Sequence, residues 1–494
     1  MFKSNLHTFD FGRGDPELIF LASENGTYNY ADLDRFTAFF EQTLSTHADS
    51  LKWPVAFLSD SSDVLVFAIA ACWKLGVPFI PLSPKLPQQE LEGNITKLHP
   101  SIIFCDTKNL DRLSGDDVFC LDQGYLTQAL TDEPTDSTEV EYPKIDSDSI
   151  AGYFFTSGST GSPKIVPLKR RQVLSAAKAS ALNFKPEPSH FWLLCLPLNH
   201  VGGITIILRT IIYGSAIYRL DYFKEEIIKE FLINNLRFQV ISLVPTMLLR
   251  LLNDSLFKTH RKFKAILLGG APVTKDILKT SLERGIPVVS SYGMTETCAQ
   301  IVANPLGIPS GTYTPLQSVG KIFAPNSLQI RDENQKVLGK NQSGTIWLRG
   351  PQVFDGYYDK IHNENRFDEN GWFNTGDFGR LNLFGALFIE SRREDLIITG
   401  GENVNPQEVE QAILKIPTIK EAVVLGVEDE EWGQKVVAFI TLKNGKEPQL
   451  NDVRNLLRSD LPDFKLPKEL CIITEIPKTD LGKVKRKELL KLFK

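Results

Sequence analysis

Cysteine is sparse in this chain, and what there is does not cluster. Cys72, Cys105, Cys120, Cys195, Cys298 and Cys471 stand apart, with no Cys-x-x-Cys pair and several inside apolar runs. That spacing excludes a paired-cysteine zinc site and a disulfide framework, and leaves reduced core thiols. Long hydrophobic runs are missing too: no stretch of about 18 uninterrupted apolar residues is available to span a bilayer. The segment Met1 to His7 lacks the apolar core of a signal peptide. The resulting expectation is a cytoplasmic protein without stable membrane insertion. Charge of one sign is not in excess either, since 55 Lys and Arg face 60 Asp and Glu for a net charge of −5. A nucleic-acid partner therefore has no electrostatic footprint. The basic tail from Lys483 to Lys494 interleaves Leu489, Leu490, Leu492 and Phe493 with its charges, as a solvated helix face does. Repeats and low-complexity segments are absent.

What is present is an ordinary globular composition, 42% hydrophobic and 23% charged, on a chain long enough at 494 residues for two or more domains. From about residue 54, helical patterns alternate with short apolar runs: Val77 to Leu82, Ile102 to Cys105, Phe191 to Leu196, Phe238 to Val244, Phe263 to Leu268 and Pro287 to Ser290. Continuous apolar strands separated by helices predict buried, largely parallel sheets. From Ser318 to about Tyr358 the pattern turns to β-type alternation, predicting a smaller antiparallel unit that closes the large domain. A second domain of about 100 residues is expected from near Glu394, with strands at Ala422 to Val427 and Val436 to Leu442 and an amphipathic helix from Leu450 to about Leu461.

The most informative local feature is the run from Thr156 to Lys164: Thr156, Ser157, Gly158, Ser159, Thr160, Gly161, Ser162, Pro163 and Lys164, behind the apolar Tyr153-Phe154-Phe155. Glycine lets the backbone approach an anion, hydroxyls and amides donate to phosphate oxygens, and Lys164 adds a positive charge. The Walker pattern does not apply, because Lys164 follows a proline and precedes Ile165. By itself such a loop is also what a plain surface loop looks like. Three further motifs follow in order: Ser291 to Thr297, reading Ser-Tyr-Gly-Met-Thr-Glu-Thr; Trp372 to Asp377, reading Trp-Phe-Asn-Thr-Gly-Asp; and Pro477 to Arg486, reading Pro-Lys-Thr-Asp-Leu-Gly-Lys-Val-Lys-Arg.

Together these four motifs resemble the adenylate-forming superfamily of acyl-CoA synthetases, adenylation domains and luciferases, over nearly the whole chain. The resemblance implies an α/β N-terminal domain of two packed, mostly parallel sheets with helices and a smaller antiparallel β unit. A small α+β C-terminal domain follows. On that pattern residues 1–393 form the AMP- and acyl-binding domain, and residues 394–494 form a mobile lid that carries the adenylation lysine. It implies ATP and CoA as co-substrates and Mg²⁺ as cofactor. The Thr156 to Lys164 loop would hold the β- and γ-phosphates. Thr295 would donate to the α-phosphate and Glu296 would coordinate Mg²⁺, an ion suited to one carboxylate plus phosphate oxygens. Ser291, Tyr292, Gly293 and Met294 would form one side of the adenine site, and Gly269, Gly270 and Ala271 the opposite wall. Asp377 resembles the ribose-binding aspartate, and Arg392 the arginine that reaches ribose or phosphate. Lys483 matches the lysine that bridges carboxylate and α-phosphate. Gly400, Gly401 and Glu402 would line the pantetheine channel after rotation about a hinge at Glu394, a position that in the family usually carries Asp or Lys.

The acyl side is read from Pro197-Leu198-Asn199-His200-Val201-Gly202-Gly203, similar to the Pro-Leu-Phe-His-x-x-Gly of acyl- and aryl-CoA ligases, with Asn199 in place of Phe. His200 would line the acyl or pantetheine channel, or be a satisfied core histidine. Arg209 lies in Gly203 to Gly214, which is apolar on nearly every side. A guanidinium there needs an anion, either a protein carboxylate or a second carboxylate on the substrate. With Leu267 to Pro272, Ser291 to Gln300 and Glu431 to Gln434, this segment looks like the o-succinylbenzoate-CoA ligases of menaquinone biosynthesis. Their substrate is a dicarboxylate, and its ring acid would meet Arg209, with Gly270 at the acyl pocket. The alternative is another aryl- or acyl-CoA synthetase, acting on a monocarboxylate, with Arg209 paired internally. The sequence permits a homo-oligomer without arguing for one.

Overall fold

The computed structural model describes residues 15–47, 53–132, 145–156, 164–188, 190–271, 273–306, 317–392, 397–399, 402–429, 432–443, 447–458, 460–479 and 482–493. Residue contacts divide the chain into two compact units. The first comprises Met1–Leu316, Ile322–Ser327 and Arg349–Asn365, and the second Gln317–Lys321, Leu328–Leu348 and Arg366–Lys494.

Two sheets build the first unit. One runs Val118–Cys120, Ile102–Cys105, Val55–Leu58, Phe79–Leu82, Ile150–Thr156, Lys164–Lys169 in spatial order. It is parallel as far as Ile150–Thr156, which forms an antiparallel hairpin with Lys164–Lys169. The other includes Ala299–Ala303, Val288–Met294, Ala265–Leu268, Phe238–Leu243, Phe191–Leu194, Ala216–Arg219, Ile19–Ala22 and Thr27–Asn29. Its middle is parallel and each end closes with an antiparallel pair. Val55–Leu58, Phe191–Leu194 and Ala265–Leu268 are buried at every position, which is why their sequences are apolar without alternation.

Helices apolar on all sides belong in the interior. Asp63–Leu75 is buried along its whole length, started by Ser62, whose side chain accepts from Leu65 N–H, and ended by Gly76 at φ 78°. It packs against Val201–Tyr213, buried from Gly203 to Ile211. The buried charge of Asp63 is met by Arg219 Nε at 2.5 Å and Ser23 Oγ at 2.6 Å.

In the second unit an antiparallel sheet runs Ser327–Arg331, Ser343–Arg349, Phe373–Leu381, Leu387–Arg392. The long antiparallel pair Ile419–Asp429 and Gly433–Leu442 anchors another sheet, with Glu469–Ile472 parallel to the second strand. Val436, Ala438 and Ile440 face one apolar cluster while Val437 and Phe439 face another, the two-residue period of a strand covered on both sides. The basic tail forms the helix Arg486–Leu492, which buries Leu489 in the second cluster and leaves Leu492 exposed. The helix predicted from Leu450 ends at Leu457.

One difference from the sequence reading concerns grouping. The antiparallel sheet, expected to belong with residues 1–393, shares its contacts with the C-terminal region. The helix Pro406–Ile413 packs on Leu387–Arg392, and Asn405 Nδ2 donates to Glu390 O at 2.9 Å.

Candidate active site

In the first unit, Thr156 and Lys164, the two ends of the motif, are paired across the hairpin. Ser157, Gly158, Ser159, Thr160 and Gly161 lie outside the described residues. Lys164 is buried, with its ammonium 5.1 Å from the centroid of the Tyr357 ring. Both strands of the hairpin pack against the 3₁₀ turn Thr295–Thr297. That turn caps a second hairpin, Val288–Met294 with Ala299–Ala303, in which Met294 pairs with Ala299. Thr297 closes it: its hydroxyl oxygen accepts from Met294 N–H at 3.0 Å, and its hydroxyl donates to Ala299 O at 2.8 Å.

Gly293 is required by this crossing, because a Cβ there would stand 1.9 Å from Ala299 O, closer than any real contact. Gly293→Ala is expected to destabilise the protein by about 2–4 kcal/mol and to remove adenylation, read from thermal unfolding and pyrophosphate exchange. An unchanged unfolding midpoint would show that the hairpin has room to relax.

Glu296 is buried, and its carboxylate accepts from the Tyr357 hydroxyl at 2.6 Å. Among the described residues no group of three or more His, Cys, Asp or Glu could hold a metal ion. A lone carboxylate is a donor set that fits Mg²⁺, which takes one or two carboxylates and completes its shell with water and phosphate oxygens. Behind the turn, Tyr292 is buried in its strand, and Ser291 Oγ donates to Leu268 O at 3.0 Å. A Cβ on Gly269 would lie 3.0 Å from Ser291 Oγ, so the missing side chain is what lets these two segments meet. Gly270 follows at φ 81°.

His200 precedes the helix Val201–Tyr213 and is half-buried, with Nε2 3.4 Å from Asn199 Nδ2. Two and a half turns on, Arg209 is 3% exposed, and its Nε and Nη2 have no hydrogen-bond partner among the described residues. Among the described residues no carboxylate pairs with it. Its guanidinium carbon lies 6.0 Å from the centroid of the Trp192 ring. Burial pushes the Tyr213 hydroxyl and the Cys298 thiol each up to about 12, and the Arg209 charge opposes both shifts. Arg219, 2% exposed, shows the contrast, since Asp63, Asp221 and Ser61 O all accept from it.

The second unit holds the remaining motifs. Asp377 is buried and Cα-paired with Arg392 across the antiparallel sheet. The preceding turn is set by Thr375, whose hydroxyl donates to Ile346 O at 2.9 Å and accepts from Asp377 N–H at 3.1 Å. Lys483 is exposed beside Gly482 at φ 75°, in a turn where Thr479 N–H donates to Lys483 O at 2.7 Å. Glu394, Gly400 and Gly401 lie outside the described residues. All six cysteines are free thiols, as expected. Among the described residues no helix is long and apolar enough to cross a membrane.

Sequence reasoning passed over Tyr357 and Gln352. Gln352 Nε2 donates to Thr297 O at 2.8 Å and Gln300 O at 2.6 Å. The available signal was Asp355-Gly356-Tyr357, where Gly356 adopts φ 132°.

A two-sheet α/β unit in which the strands flanking the Thr156 to Lys164 motif pack on a buried Thr-Glu turn is the arrangement of a nucleotide-dependent adenylating enzyme. Residues 9–358 match the AMP-binding enzyme family and residues 408–483 its C-terminal domain, and the chain belongs to that family. It is 32% identical over 438 residues to 2-succinylbenzoate–CoA ligase of Listeria monocytogenes serotype 4b, covering 88% of each chain. It is 31% identical over 474 residues to the enzyme of the same name from Bacillus subtilis strain 168, covering 96% of this chain and 95% of that one. The o-succinylbenzoate CoA synthetase of Bacillus subtilis, solved with its acyl-adenylate intermediate, superposes with a TM-score of 0.84 at 30% identity, over 96% of this chain and 95% of that one. ATP-bound MatB of Rhodopseudomonas palustris gives 0.88 at 27% identity, over 97% and 96%.

Proposed function

We propose that the protein is a 2-succinylbenzoate–CoA ligase of menaquinone biosynthesis. A substrate carboxylate oxygen attacks the α-phosphorus of ATP, the bond to the bridging oxygen breaks, and pyrophosphate leaves with its electron pair. The CoA sulfur then attacks the acyl carbon and AMP departs, so one site serves two half-reactions. The observation that carries the choice of acid is Arg209, a buried arginine with hydrogen-bond donors unused. A buried cation is costly without an anion, and a second carboxylate on the substrate supplies one. The names of the relatives over most of the chain support the same acid.

The first step brings two anions together, so fixed positive groups must offset their repulsion. We assign Lys164 and the loop before it to the β- and γ-phosphates, and Thr295 to the α-phosphate. Glu296 would hold Mg²⁺, which when bound neutralises phosphate charge. Ser291 to Met294 and Gly269 to Ala271 enclose adenine, Asp377 and Arg392 take the ribose, and Lys483 bridges carboxylate and α-phosphate. His200 lines the acyl channel. For the second step the C-terminal domain turns about Glu394, so that Gly400, Gly401 and Glu402 line the CoA tunnel. The free thiols and the use of ATP and CoA fit a cytoplasmic protein.

Pyrophosphate exchange into ATP tests the reading. It is expected to require both Mg²⁺ and 2-succinylbenzoate, with benzoate, 4-phenylbutyrate, coumarate and octanoate giving little. Exchange supported by one of those monocarboxylates and not by the diacid would return Arg209 to a structural role and reassign the substrate.

A further inference from the structure

We infer that Tyr357 is a positioning residue that holds the Glu296 carboxylate and the Lys164 ammonium in one fixed arrangement. The inference rests on the assignment of Glu296 to the divalent cation and Lys164 to phosphate. Its two faces do different work. The hydroxyl donates to Glu296 Oε1 at 2.6 Å, the length of a charge-assisted O–H···O⁻ bond. The ring lies 5.1 Å from Lys164 Nζ, where the negative π face attracts a cation.

The tyrosine is itself held. Phe354 meets its ring edge-on at 4.9 Å. Asn363 Oδ1 accepts from Tyr357 N–H at 2.7 Å, and Asn363 Nδ2 donates to Tyr357 O at 3.2 Å. The segment from Gln352 to Tyr358 is a strap across both motifs. On the side of the Thr-Glu turn, Gln352 donates to Thr297 O and Gln300 O, and Phe354 N–H donates to Glu296 O at 2.9 Å. On the side of the hairpin, Tyr358 N–H donates to Ile165 O at 3.0 Å, one residue beyond Lys164. Arg171 Nη2 contacts both oxygens of Asp355 at 2.6 Å and fixes the strap between.

A carboxylate binds metal in a defined direction only when its rotation is stopped. With Oε1 engaged by the phenol, that rotation is restrained. Outer-shell partners of this kind change metal affinity by about 10- to 100-fold.

Tyr357→Phe keeps the ring under Lys164 and removes only the hydroxyl. In the full-length enzyme, the Mg²⁺ concentration for half-maximal pyrophosphate exchange at saturating ATP is expected to rise about 10-fold or more. Thiolysis of supplied acyl-adenylate should stay at the wild-type rate. Tyr357→Leu, which also removes the ring, should raise the KM for ATP in addition. Mn²⁺ titration followed by electron paramagnetic resonance reads affinity without turnover, on protein whose folding is checked by thermal unfolding. A Tyr357→Phe enzyme with wild-type Mg²⁺ and Mn²⁺ dependence overturns the inference, whether or not its kcat falls. Glu296→Gln separates the two layers. If it weakens metal dependence while Tyr357→Phe does not, the Glu296 assignment stands and the tyrosine's role fails. If Glu296→Gln keeps wild-type metal dependence, both fail.

Discussion

Arg209→Leu is expected to lower kcat/KM for 2-succinylbenzoate by about 10- to 100-fold, the worth of hydrogen bonds to a charged group. The same variant should leave 4-oxo-4-phenylbutyrate, identical except for the ring carboxylate, within about threefold of the wild-type value, because uncharged ring contacts survive. The argument begins with the helix. Val201–Tyr213 is apolar on nearly every side, so a guanidinium at position 209 loses its water wherever it turns. Arg219 shows how this fold treats a buried arginine that is purely structural, with two carboxylates and a backbone carbonyl around it. Among the described residues Arg209 has no such set, and two of its nitrogens are buried without a hydrogen bond. Removing an uncompensated charge also predicts that Arg209→Leu is at least as stable as wild type in the absence of ligand. Equal loss with both acids would make Arg209 a packing residue.

Lys483→Ala should reduce adenylation by about 10²-fold or more, the cost typical of deleting a charge that meets developing negative charge in a transition state. Thiolysis of supplied acyl-adenylate should persist, since the lysine is assigned to the first half-reaction alone. Lys478 is paired with Glu421, and Lys485 lies 3.2 Å from Glu488. Lys483 follows Gly482 in a turn where Thr479 N–H donates to Lys483 O and Gly482 N–H donates to Thr479 O. Lys485→Ala is the matched control and should change adenylation little. Loss of both half-reactions in Lys483→Ala would contradict a role confined to adenylation.

Much of the fold was legible because burial is written locally. The run from Phe191 to Leu194 is apolar at consecutive positions, and it is a strand buried on both faces. The solitary charge in an apolar helix likewise marked Arg209. Partnerships between distant segments are not written that way. Tyr357 and Glu296 are 61 residues apart, and nothing in Asp355-Gly356-Tyr357-Tyr358 states which carboxylate the phenol meets. The grouping of the antiparallel sheet was missed for a similar reason. Its alternating pattern shows one strand type, while its neighbour is set by Asn405 and the helix after it. The sequence marked Arg209 as buried and left its anion open between a protein carboxylate and the substrate, and the fold shows no carboxylate pairing with it among the described residues.

The most direct test of the central claim is mass spectrometry of the thioester formed from CoA, ATP and Mg²⁺, with 2-succinylbenzoate and 4-oxo-4-phenylbutyrate offered in competition at equal concentration. The account expects the CoA thioester of the diacid to dominate in wild type, and the preference to collapse in Arg209→Leu. Equal use of the two acids by the wild-type enzyme would contradict it.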